Sequence, residues 1–166
     1  MKLTHSLALV FFLSVCSLAN AQSLWRGSQY GMKLEQIMDL FPSAKQPVHP
    51  DSLYNGATEL VRISEFEIEG YVFSVSFFFK NEALDQVMLS ASGIETAQDG
   101  QLAYALLLNS LTEKYGDQEQ NNQPAKTKTS LSSSWALEKT EILLHYSEFP
   151  YSEPILNVIY RLRPSP

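Results

Sequence analysis

Apolar positions recur with a helical period, then alternate, then turn helical and alternate again, so the chain reads as helix, strands, helix, strands. Leu34, Ile37, Met38 and Phe41 fall at i, i+3, i+4 and i+7, one face of a helix. Gly31 permits a turn before it and Pro42 stops it, which predicts a short helix over Met32 to Phe41. Pro42, Pro47 and Pro50 then hold an extended connection. Tyr71, Phe73, Val75, Phe77 and Phe79 alternate with Val72, Ser74, Ser76 and Lys80, the period of a strand with one row toward a core. Upstream, Val61 and Ile63 share one phase while Phe66 and Ile68 share the other, so a strand from Glu59 to Glu69 needs a bulge near Ser64 and Glu65. Gly70 and the run Lys80, Asn81, Glu82 read as turns, and Leu84 to Ala91 as a third strand of an antiparallel meander.

Thr96 with Asp99 three residues later is an N-cap pattern. Tyr104, Leu107, Leu108, Leu111 and Tyr115 mark one face, and Gly116 supplies a stop, which predicts a helix over Ala97 to Tyr115. Asp117 to Ser134 is polar and, apart from Leu131, lacks an apolar period, so most of it reads as a mobile loop. Ser133 to Glu138, Ile142 to Tyr146 and Ile155 to Arg163 are the remaining strands, with Pro150 and Pro154 confining Ser147 to Pro154 to a loop. The expected fold is a single α+β domain: an antiparallel sheet of about six strands, element order α-βββ-α-βββ, with two amphipathic helices packed on one face. The repeated order suggests an internal repeat that residue identities do not support.

Ahead of this domain, Lys2, the apolar run Leu7 to Val15 and the ending Ala19, Asn20, Ala21 form a secretory signal pattern, placing cleavage between Ala21 and Gln22 and the domain at residues 22–166. The run is shorter than the roughly twenty residues a spanning helix needs, and no later segment is long enough either. A lipobox reading of Leu13 to Cys16 would instead tether the protein through a lipid on Cys16, although Val15 is a poor residue before such a cysteine. Either route predicts a periplasmic or secreted protein. Cys16 is the only cysteine, so cleavage at Ala21 leaves neither a disulfide nor a thiolate site, and stability rests on the core.

The formal charge of −6, with no clustered run of Lys and Arg, argues against binding the phosphate backbone of a nucleic acid. Hydrophobic content of 45% argues for a folded chain. No cofactor motif is present. Glu65, Glu67 and Glu69 share a strand face, but three carboxylates in a row lack the number and the wrap of a calcium site and read as a solvated face. His49 and His145 are the histidines that survive cleavage, and a hydrolase built on either would need a serine and an acid beside it. His49 lies among prolines in a loop; His145 lies opposite Ile142, Leu144 and Tyr146. No serine sits in a strand-turn-helix elbow. Phe78 points away from Phe77 and Phe79, onto the face of Ser74 and Ser76, which makes these three a candidate binding patch if Phe78 is exposed, with burial of Phe78 under a loop as the competing reading. A pocket between sheet and helices for a small apolar ligand is a further alternative.

Gly31 to Ile37, the run Lys114, Tyr115, Gly116 closing the second helix, and Trp135 opening a strand resemble small exported bacterial proteins of helix-plus-antiparallel-sheet build. That build is similar to the one shared by beta-lactamase-inhibitor proteins and the small lipoprotein of the outer-membrane protein assembly machine, in which the residue at Lys33 is more often Ser or Thr. The resemblance implies a protein-binding or scaffold role in the envelope. The expected function is therefore a non-enzymatic module that meets an envelope protein or glycan through the uncovered sheet face or the polar loop after Gly116, with a periplasmic hydrolase as the alternative.

Overall fold

The computed structural model describes residues 23–119 and 130–163. Cys16, Ala21 and Gln22 lie outside the described residues, and so does most of the polar loop after Gly116. The described chain is α+β, with helices α1 (Leu34–Leu40) and α2 (Ala97–Tyr115) and strands β1 (Thr58–Ile68), β2 (Tyr71–Lys80), β3 (Ala83–Ser92), β4 (Ser130–Leu137), β5 (Thr140–Phe149) and β6 (Ser152–Leu162). The strands form one open sheet in the order β1-β2-β3-β6-β5-β4, and every neighbouring pair is antiparallel. Each meander runs inward from its own edge, so that β3 and β6 meet in the middle.

Local chemistry sets the element ends. α1 is shorter than its apolar spacing suggests because Lys33 stays extended, at φ −82° and ψ 162°, and Phe41 is bent out of the helix ahead of Pro42. Lys33 has no acceptor to cap the helix; instead its backbone N–H donates to Gln36 Oε1 at 2.8 Å. α2 begins as its sequence suggests, with Thr96 Oγ1 accepting the Asp99 N–H at 3.1 Å. The β1–β2 turn places Glu69 and Gly70 at φ 53° and 80°, the two left-handed positions of a tight hairpin. The expected bulge at Ser64 and Glu65 is present as a register shift between Ile63 and Phe66. It brings Phe66 and Ile68 opposite Phe73 and Tyr71, on the face that already holds Val61 and Ile63.

One sheet face carries the core. Phe77 pairs with Val87, Val87 with Tyr160, Tyr160 with Ile142, and Ile142 with Trp135, an apolar row across five strands. Ile37 of α1 and Ala103, Tyr104, Leu107 and Leu111 of α2 belong to the same buried cluster. Phe41, just after α1, lies 5.0 Å from Phe77 between ring centroids, and Tyr104 lies 6.4 Å from Tyr146. Gly100 lets α2 come close, since a Cβ there would stand 2.5 Å from Tyr146 Cε2. Trp135 Nε1 donates to Gly116 O at 2.9 Å and holds the helix end against β4.

Two features extend what the pattern indicated. Residues 23–29 form a small hairpin: Ser23 bridges Gln29, Ser28 N donates to Trp25 O at 2.9 Å, and Arg26 and Gly27 fill the turn at φ 47° and 86°. Its Trp25 ring stacks on Phe41 and meets Phe66 and Phe77 edge-on, and Ser23 O accepts from Thr140 Oγ1 at 2.8 Å. The second feature corrects the expected loop, because β4 starts at Ser130: the polar run Ser130 to Ser134 pairs residue by residue with β5.

Candidate interaction face

The face opposite the core is built by register. Ser76, Met88, Ile159, Leu143 and Ser134 stand side by side on β2, β3, β6, β5 and β4. Below them Ser74, Ser90, Asn157, His145 and Ser132 form a fully polar row, and above them Gln86, Arg161 and Glu141 form a charged one. Neighbouring strands lie about 4.8 Å apart, so the apolar centre Met88, Ile159 and Leu143 is a strip about 10 Å long between polar rims. Each of these three side chains is half-buried by its neighbours. Arg161 Nε donates to Glu141 Oε2 at 2.7 Å, which fixes the charged rim.

The β1 end of this face is closed. The chain before β1 pairs with its outer edge through Lys45 and Arg62, and Asn55 Nδ2 reaches Asp85 on β3 at 2.9 Å. Phe78 is 0% exposed there, so the expectation of an exposed aromatic anchor is corrected: Phe78 is a packed residue at the closed end of the sheet. Ser76 is buried as well, and of the three patch residues Ser74 alone keeps partial exposure.

A register shift between Glu59 and Val61 inserts Leu60 as an extra residue and puts Glu59 and Arg62 on the same face. Arg62 grips both oxygens of the Glu59 carboxylate, with Nε to Oε1 at 2.6 Å and Nη2 on Oε2, and also donates to Asp51 Oδ2 at 3.1 Å. The Asp51 amide donates to Glu59 Oε2 at 3.1 Å. Burial pushes the Glu59 carboxyl up, but hydrogen bonds from Arg62, Ser76 and the Asp51 amide, with the Arg62 charge, outweigh it and hold the group below its ordinary value of 4.5. This pair, a buried carboxylate held by a partly exposed guanidinium, latches the pre-β1 chain to the sheet.

His145 sits on the outer face, half-buried, and burial pushes its pKa below the ordinary 6.5. Its Nε2 lies 2.8 Å from Ser147 Oγ, which lies 3.0 Å from Ser130 Oγ. Glu148, the nearest acid in sequence, accepts from Tyr146 and Gln101 instead, and Glu141 pairs with Arg161. His49 is exposed in its loop, and Asp51 beside it is engaged by Arg62. Among the described residues neither imidazole has both a hydroxyl and a carboxylate partner, so no nucleophile, base and acid relay is assembled. Glu65, Glu67 and Glu69 are split by the bulge and by the turn at Glu69, whose carboxylate accepts from Ser110 Oγ. The described residues contain no group of three acidic, His or Cys side chains placed to hold a metal ion, and no helix among them is long and apolar enough to cross a membrane.

The rows across the face escaped sequence reading because pairing register is non-local; each strand shows its alternation but not its neighbours. The Glu59 and Arg62 pair had a weak signal, two opposite charges bracketing Leu60 and Val61, which becomes meaningful only once the bulge is known. Fold and face together define an α+β domain on one antiparallel sheet. Comparison with protein-family models, with curated proteins and with solved structures finds no match to this chain.

Proposed function

We propose that this chain is an exported envelope protein that works by recognition rather than catalysis, with both helices serving as the cover of one sheet face and the other face presented to a partner protein. The observation that carries the reading is the strip Met88, Ile159 and Leu143, aligned by register and flanked by polar and charged rows. An apolar centre inside a polar rim is the anatomy of a protein-binding patch. The leader Lys2 to Ala21 supports export, and the resemblance to inhibitor and assembly-machine proteins supports a scaffold role. A glycan would call for more hydrogen-bonding groups at the centre of the strip.

The test has two parts. Fractionation of cells making the full chain, with mass measurement of its mature N-terminus, checks export: a start at Gln22 supports a released protein, a lipidated Cys16 a tethered one, and an intact Met1 in the cytoplasm contradicts export. Leu143→Lys together with Ile159→Lys then checks recognition. The double variant is expected to keep its melting temperature within about 3 °C, each charge being carried at a half-exposed site, and to lose the partners that the unmodified protein retains from envelope extracts. Unchanged retention would contradict the use of this face.

A further inference from the structure

The core face is covered in two pieces, and a seam runs between them. On one side stand Trp25 and Phe66 of the aromatic cluster; on the other stand Leu107 and Leu111 of α2. Between them lies a half-open slot of about 210 Å3 floored by Leu89, Val158 and Tyr160. That is roughly seven waters' share of liquid volume, room for one short apolar chain. Its charged neighbours are Arg26, Lys114 and Glu67.

Arg26 and Lys114 also line an adjoining cavity of about 390 Å3, together with Lys139, Tyr115 and Glu138. The two spaces therefore share a cationic threshold. None of Arg26, Lys114 and Lys139 takes part in an ion pair among the described residues. The first two are instead laid over aromatic rings: the Arg26 guanidinium is 4.3 Å from the Phe66 centroid, and Lys114 Nζ is 4.9 Å from that of Tyr115. The Arg26 and Gly27 amides are the central ones of the hairpin turn, which is closed by Ser28 N and Leu24 N rather than by them. Tyr115 lines the larger space and Tyr160 the slot. Arg26, Lys114 and Lys139 outnumber Glu67 and Glu138 along the two linings, and Arg26 and Lys114, shared by both, favour a negative group at the threshold.

We propose that this seam binds a small amphipathic anion, its apolar body in the slot over Leu89 and Val158 and its carboxylate or phosphate held between Arg26 and Lys114. The slot's volume admits one short chain, which points to a free molecule rather than a lipid still seated in a bilayer. The site lies on the core side of the sheet and depends neither on export nor on the opposite face.

Sodium octanoate and neutral 1-octanol are the probes, titrated into the full chain and followed by calorimetry and by tryptophan emission, since Trp25 lines the slot. Octanoate is expected to bind at least about tenfold more tightly than octanol. Lys114→Gln and Arg26→Gln, checked for unchanged melting temperature, are each expected to weaken octanoate about threefold to tenfold while leaving octanol as it was. Equal affinity for the two probes, indifference of octanoate to both substitutions, or no heat and no emission change up to about 10 mM octanoate would overturn the proposal.

Discussion

Gly100→Ala tests how tightly α2 is seated on the sheet. In a free helix the change stabilises by about 1 kcal/mol, because alanine loses less backbone entropy than glycine. Here the new methyl carbon would stand 2.5 Å from Tyr146 Cε2 and 3.0 Å from both Cζ and Oη. Relief to ordinary contact needs a shift of about 1 Å, which a packed core resists at about 1–3 kcal/mol. Tyr146 is poorly placed to give way: its hydroxyl donates toward Ala97 O at 3.1 Å and Glu148 Oε1 at 3.0 Å, and weakening that anchor costs about 1 kcal/mol more. The net expectation is destabilisation by about 1–3 kcal/mol, a fall in melting temperature of roughly 4–10 °C for a domain of this size. Thermal and urea unfolding of the single variant, and of the same change in a Tyr146→Ala background, complete a double-mutant cycle. With the ring gone, the alanine is expected to stabilise. A rise in melting temperature for Gly100→Ala alone would show that propensity outweighs contact and refute the seating of α2 on Tyr146.

Arg62→Ala leaves the buried Glu59 carboxylate without its partner and is expected to cost about 3 kcal/mol in urea unfolding at pH 7, toward the low end for such pairs because Arg62 keeps some solvent contact. Because Glu59 is held below 4.5, its contribution is fully present above that value and is lost as pH falls through the folded-state pKa; the gap between wild type and Glu59→Gln, measured by urea midpoints, is expected to narrow from pH 6 down to about pH 3. Glu82 occupies the left-handed region at φ 62° in the β2–β3 turn, next to Asn81 at φ 51°, so Glu82→Gly is expected to stabilise by about 0.5–1 kcal/mol in thermal unfolding despite the loss of an exposed contact to Lys33. The His145 ring is expected to titrate below 6.5 by NMR, so that protonating it at acid pH draws on folding stability; a midpoint at or above 6.5 would contradict its desolvated position.

What could be read from the chain was what repeats locally. The Tyr71 to Phe79 alternation carried its strand, and the phase change between Ile63 and Phe66 carried a bulge, because both are properties of one strand with one buried face. The Thr96 cap and the Gly116 stop bounded α2 because capping, too, is decided within a few residues of chain. Phe78 shows the boundary of such reading: its orientation followed from alternation, but its burial is a tertiary matter, at the end of the sheet where Asp51 and Asn55 tie the preceding loop to Glu59 and Asp85. The start of β4 was hidden because Ser130 to Ser134 has no apolar period and is a strand by virtue of its pairing with β5. The hairpin at residues 23–29 had only a two-residue signal, Arg26 and Gly27, and the rows of the outer face had none, since Ser90, Asn157 and His145 become neighbours through pairing alone.

The proposed recognition through the outer face is tested most directly by a photocrosslinking amino acid at position 159, on the strip, compared with one at position 48, where Val48 is 88% exposed in the pre-β1 loop. In cells making the full chain, position 159 is expected to yield a discrete protein adduct that disappears when Leu143→Lys is added, while position 48 yields none of that mass. An adduct of equal yield at both positions, or one at position 159 that survives Leu143→Lys, would contradict recognition through this face.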